Sequence, residues 1–150
     1  MENDINFQKA IKHLFILEGG YSNNKYDKGG ETNYGITQKT YSSYLKKQNL
    51  QNKTVKTITK EEATKIYYEE YWLLSGVNKI NDFKLAYLLF DSSVNHGVGA
   101  AKKMYKNSQA NFDKFINLRR EKYLSIVKNN PSQKIFLKGW LNRLTYIHNL

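Results

Sequence analysis

The chain has no cysteine, a single proline, three histidines and, among its 24 basic residues, only three arginines. Without cysteine there is no disulfide framework, no thiolate metal site and no thiol nucleophile. The histidines are scattered (His13, His96, His148), so no histidine-based metal site is expected and no metal or organic cofactor is called for. No apolar run approaches the roughly 20 residues of a membrane span, which excludes stable membrane insertion. The start, MENDINFQKAIKHLF, is mixed in charge and amphipathic, unlike the basic-then-apolar order of a secretory signal.

What the chain has is lysine. A net charge of +11 predicts attraction to a polyanion: nucleic acid, an anionic membrane or an acidic cell-wall polymer. Readers of phosphates and bases lean on the bidentate fork of arginine, and here only Arg119, Arg120 and Arg143 carry one. The charge therefore reads as diffuse attraction, or as no more than a solvated lysine-rich surface. A hydrophobic fraction of 40%, with seven Phe, twelve Tyr and two Trp in 150 residues, argues for one packed domain.

Residues 4–18 read as an amphipathic helix with Phe7, Ile11 and Leu14 on one face and Glu18 one turn beyond, ended by Gly19-Gly20. Residues 21–37 lose helical periodicity. Asn23-Asn24 and Lys28-Gly29-Gly30 are turn signals, and the segment reads as a small β-hairpin or meander. A short helix follows, and Thr59-Lys60-Glu61-Glu62 is a capping box for a helix through about Leu74. Asp82 or Asn81 caps a helix that is apolar on two faces, the expected buried centre of the fold. Further helices are expected over residues 99–108, from Asn111 to Lys128, and after Pro131, the last carrying Phe136, Trp140, Leu144 and Ile147. The fold class is α+β, mostly α, with one small early β element.

The chemistry centres on EGGYSNNKYDKGGETNYGIT, residues 18–37. Glu18 extends the apolar face at the carboxyl end of a helix. Burial disfavours its ionised form, and the negative end of the helix dipole acts the same way. A carboxyl that keeps its proton is what a general acid for glycosidic cleavage requires. The bland alternative is a glutamate turned to solvent at a fraying end. Asp27 sits nine positions on, in a polar glycine-rich segment that keeps it ionised. Two carboxyls driven apart in this way form an acid and base pair. Thr32 offers a hydroxyl to help Asp27 hold a water, and Gly30 lets backbone approach a ligand closely. Tyr21, Tyr26 and Tyr34 supply faces on which sugar rings can pack, with ordinary packing in the fold the alternative for each taken singly. Glu31 rivals Asp27 for the second carboxylate.

This stretch resembles the signature of the lysozymes of glycoside hydrolase family 108, Glu-Gly-Gly followed by Asp, Gly-Gly, Thr and Tyr-Gly-Ile. FDSSVNHGVGAAKKMYK resembles the family's later segment, and NPSQKIFLKGWLNRL its C-terminal peptidoglycan-binding region, so the likeness covers nearly the whole chain. The resemblance implies a single lysozyme-like domain: about 1–80 catalytic, about 81–150 helical and peptidoglycan-binding. It places the catalytic acid on Glu18. The spacing Glu18, Asp27, Thr32 is also similar to the triad of T-even phage lysozyme, with one residue fewer before the threonine.

The expected function is thus hydrolysis of the β-1,4 bond between N-acetylmuramic acid and N-acetylglucosamine in peptidoglycan. A lytic transglycosylase and a non-catalytic wall-binding module are the alternatives. Scarce arginine and the lack of a reader motif argue against nucleic acid as a partner. The implied protein is a monomer made in the cytoplasm without a signal peptide, acting on the wall after release, with anionic wall polymers as electrostatic partners. Asn95, before His96-Gly97, either lines the cleft or caps a helix. Asp91 is expected to pair with an arginine, and Arg119 and Arg143 to satisfy buried carboxylates or carbonyls. Trp140 is read as core, with sugar stacking the alternative, and KKQNLQNKTVKTITKEE as a variable loop.

Overall fold

In the computed structural model, which describes residues 1–24 and 30–150, Asp4 opens the first helix by accepting a hydrogen bond from the Phe7 amide at 2.9 Å. Helix α1 (Ile5–Leu17) buries Phe7, Ala10, Ile11 and Leu14, the i, i+3, i+4, i+7 stripe of an amphipathic helix. Its end departs from expectation. Glu18 already has extended backbone (φ −86°, ψ 133°), although its N–H still reaches Leu14 O at 2.8 Å. The glycines with positive φ among the described residues are Gly30, Gly35, Gly76 and Gly97, so Gly19 and Gly20 do not form a left-handed cap. The helix stops by extension, and the chain runs on to pair Ser22 with Thr32 through two reciprocal backbone bonds of 2.8 Å.

The paired strands are short, and the expected turn signal at Lys28-Gly29 lies outside the described residues. Strands β1 (Thr32–Asn33) and β2 (Ile36–Thr37) pair antiparallel, Thr32 with Thr37 and Asn33 with Ile36. The two-residue connection is Tyr34-Gly35, with φ of 52° and 77°, the doubly positive signature of a type I′ turn. Tyrosine seldom adopts this backbone, and sequence turn signals do not point to it. Two tertiary contacts hold it there. The Tyr67 hydroxyl donates to Tyr34 O at 2.7 Å, and the Phe15 ring meets the Tyr34 ring edge-on at 5.6 Å.

Helix α2 (Gln38–Lys47) starts at Thr37, whose hydroxyl accepts from the Thr40 amide, and buries Tyr41 and Leu45. The segment expected to be a variable loop is pinned. Gln38 accepts from Val55 N at 2.6 Å and donates to Lys53 O at 3.0 Å. Asn33 donates to Val55 O and Lys56 O at 3.2 Å, and Val55 itself is fully buried. The Thr59–Glu62 capping box forms as read, opening α3 (Lys60–Ile66). The chain then continues to Leu73 as a π-helical segment, Tyr67–Leu73, instead of an α-helix.

The chain divides into two compact units, Met1–Glu69 and Glu70–Leu150. The second is helical. Asp82 caps α4 (Phe83–His96) by accepting from the Leu85 amide at 2.8 Å. Every residue from Leu85 to Ser93 is buried, as the two apolar faces required. Helices α5 (Val98–Asn107), α6 (Phe112–Asn129) and α7 (Lys134–His148) complete the unit. Pro131 begins a 3-10 turn that leads into α7. On α6 the buried residues are Phe115, Ile116, Arg119 and Tyr123, so the inward face includes an arginine, while Phe112 and Val127 are only partly buried. Tyr123 stacks on Trp140 at 5.0 Å, and Trp140 itself is half-buried, outside the fully buried core that the sequence suggested for it.

Candidate active site

Glu18 stands half-buried where α1 gives way to extended chain. Directly against it lies Gly35, in the hairpin turn. A Cβ built on Gly35 would lie 2.7 Å from Glu18 Cδ, 2.8 Å from Glu18 Cγ and 2.5 Å from the Tyr67 hydroxyl oxygen. A side chain there would have to displace the Glu18 and Tyr67 side chains, and the positive φ also favours glycine. The carboxyl and the phenol thus share the space over one Cα. The Phe15 ring, three residues before Glu18, contacts both Tyr34 (5.6 Å) and Tyr67 (6.1 Å) edge-on. The Lys60 ammonium lies 5.4 Å from the centre of that ring.

Thr32 is half-buried on β1, its backbone paired to Ser22 on one side and Thr37 on the other. Its side chain leaves the opposite face of the strand from Asn33, which is directed to the Val55 loop. Tyr21 is 43% exposed, donates to Glu31 Oε1 at 2.8 Å and carries the Lys56 ammonium 5.0 Å above its ring. Glu31, the rival second carboxylate, is therefore engaged with Tyr21. Desolvation first, then the bond to Glu31, pushes the Tyr21 phenol up from its ordinary value. Gly30 has φ of 69° and open space around its Cα. Asp27 and Tyr26 lie outside the described residues.

Asn95 belongs to the second unit and to a different kind of centre. Its amide nitrogen donates to the Tyr123 hydroxyl at 3.1 Å and its oxygen accepts from Arg143 at 3.2 Å. Asp91, fully buried, takes Arg119 Nη1 at 2.7 Å and Arg143 through both Nε and Nη2. Arg119 also donates to the Tyr123 hydroxyl at 2.7 Å. The expectation that Asp91 pairs with arginine is met twice over. Burial pushes the Asp91 carboxyl up, but Arg143 and then Arg119 outweigh it and hold it at about 2. His96 packs on Tyr123 at 5.0 Å, and burial, then Arg119, lowers it to about 3, far from titration near neutral pH.

No cluster of three or more histidine and carboxylate side chains suited to a metal ion occurs among the described residues. Nor is any described helix long and apolar enough to cross a membrane. Sequence reasoning missed Gly35 and Tyr67 as parts of the Glu18 setting. No local signal pointed to them, because tyrosine is disfavoured in the turn that sets Gly35 and Tyr67 reaches that turn from a distant segment.

The family model of glycosyl hydrolase 108 matches residues 11–97. The chain belongs to that family. As a member of glycosyl hydrolase 108 it is a glycoside hydrolase of the lysozyme type that acts on peptidoglycan. The matched span holds Glu18, Thr32, Gly35, Tyr67 and Asn95, and ends at the glycine before α5. The solved structure of Brucella abortus SagA superposes with a TM-score of 0.77 at 28% identity, over 95% of this chain and 91% of that one. The lysozyme-like, mostly α fold class agrees with that similarity. No curated protein matches the sequence significantly.

Proposed function

We propose that this family member is an N-acetylmuramidase in which Glu18 protonates the oxygen leaving the β-1,4 bond between N-acetylmuramic acid and N-acetylglucosamine. The observation that carries the reading is the Glu18 carboxyl set against the bare Cα of Gly35, inside the span matched by the family. Asp27, with Thr32, positions the attacking water or stabilises oxocarbenium charge. Tyr21, Tyr26, Gly30 and Tyr34 bind the glycan. The enzyme works as a monomer on the cell wall after release, steered there by its charge of +11.

The test is mass spectrometry of peptidoglycan digested by the wild type and by Glu18→Gln. Reducing muramic ends that vanish in the variant support a hydrolytic muramidase dependent on Glu18. Anhydro-muramic ends identify a transglycosylase and remove the water-activating role of Asp27. Intact glycan from both proteins, with binding to walls retained, leaves a wall-binding module.

A further inference from the structure

Tyr67 is fully buried, yet its hydroxyl emerges at the one place where Gly35 and Glu18 meet. It is the first residue of the π-helical segment Tyr67–Leu73, directly after α3. Such segments are rare and recur at functional sites, because the wider turn redirects a side chain that an α-helix would leave elsewhere. Its hydroxyl spans to the hairpin, donating to Tyr34 O at 2.7 Å.

That bond decides what Tyr67 presents to its other neighbour. A phenol has one proton and two lone pairs. With the proton committed to Tyr34 O, the oxygen keeps its acceptor capacity on the side of Gly35, where the Glu18 side chain also lies. An acceptor suits a carboxyl that carries its proton, the state in which a general acid begins its cycle. The same bond clamps the Tyr34-Gly35 turn, whose bare Cα is the surface against which the Glu18 side chain rests. Phe15 completes the support, touching both tyrosine rings from α1. We propose that Tyr67 is a positioning residue for Glu18. It holds the Gly35 seat in place and fixes where the carboxyl proton is delivered. The proposal rests on the general-acid reading of Glu18.

The experiment compares kcat and KM on soluble peptidoglycan fragments for the wild type, Tyr67→Phe, Gly35→Ala, Tyr41→Phe and Glu18→Gln, with thermal unfolding of each. Tyr67→Phe keeps the ring contact with Phe15 and removes only the hydroxyl. It is expected to lower kcat about tenfold while KM stays within about twofold, because positioning acts on the transition state more than on binding. Gly35→Ala places a methyl in the seat and is expected to lower kcat about a hundredfold. Tyr41→Phe removes a comparable buried hydroxyl, the one bonded to Glu62, and is expected to leave kcat unchanged while lowering the melting temperature. Wild-type kcat in Tyr67→Phe overturns the proposal, as does a kcat loss equalled by Tyr41→Phe. Full activity in Glu18→Gln removes the general-acid reading itself. An inactive Glu18→Gln beside an unimpaired Tyr67→Phe removes only the role of Tyr67.

Discussion

Arg143 grips Asp91 through two nitrogens, Nη2 at 2.7 Å from Oδ1 and Nε at 3.0 Å from Oδ2. Arg119 reaches the same carboxylate at 2.7 Å with a side chain that has no exposed surface. One carboxylate therefore pairs with two guanidinium groups in the second unit. Removing it leaves both cations without their carboxylate.

Asp91→Ala is expected to destabilise the protein by about 3–5 kcal/mol, the cost of leaving buried charge uncompensated. Urea denaturation followed by circular dichroism reads this as a lower midpoint. A midpoint equal to that of the wild type would show that the arginines find water or other partners instead.

Stability should also depend on pH through this centre. His96 lies at about 3 in the fold against 6.5 in the free side chain, lowered by burial first and then by Arg119, Lys122 and Arg143 against the pull of Asp91. Between those values the unfolded chain binds a proton that the folded one refuses, so stability falls as pH drops through 6.5 towards 3. The Asp91 contribution is intact above 3.8 and is lost as pH falls from there through about 2. The melting temperature is expected to drop by about 5 °C or more from neutral pH to about 4. His96→Gln should flatten that slope while keeping the steeper loss below it. An unchanged slope in the variant would assign the effect to other groups.

In the first unit, Glu62 pairs with Lys53 at 3.4 Å and has two further tasks. It closes the capping box with Thr59 and accepts the buried Tyr41 hydroxyl at 2.6 Å. Thr59→Ala should cost about 1 kcal/mol, the usual value of a helix cap. Glu62→Ala should cost about 2–3 kcal/mol, since it also leaves a buried hydroxyl without its acceptor. Equal losses in chemical denaturation would mean that the Tyr41 bond adds nothing.

Lysis of whole cells should weaken as salt rises, because the Debye length shrinks from about 8 Å at physiological ionic strength to about 3 Å at 1 M. Cleavage of small soluble fragments should change little over the same range. Lysis rates insensitive to salt would end the steering account of the +11 charge.

Much of this was legible in the residues. The α1 stripe, the Asp82 cap, the Thr59–Glu62 box, the buried α4 and the Asp91–arginine pairing follow from periodicity, local capping chemistry and the cost of burying charge. The hairpin turn was not. It sits on Tyr34-Gly35, where local preference resists the tyrosine and a bond from Tyr67, far along the chain, holds it. The Val55 loop was missed for the same reason, since its anchors are Asn33 and Gln38.

By itself, then, the sequence determined most of the helices, the Asp82 and Thr59 caps, the inward faces of α1 and α4, the candidate acid Glu18 and the net charge of +11. Each depends on neighbours within a few residues or on composition. Only the tertiary structure decided that α1 ends in extended chain at Glu18, that α3 passes into a π-helical segment, and that Gly35 and Tyr67 form the seat of the carboxyl. Those features come from contacts between residues dozens of positions apart, and no local pattern records which distant atoms will fill the space over a glycine.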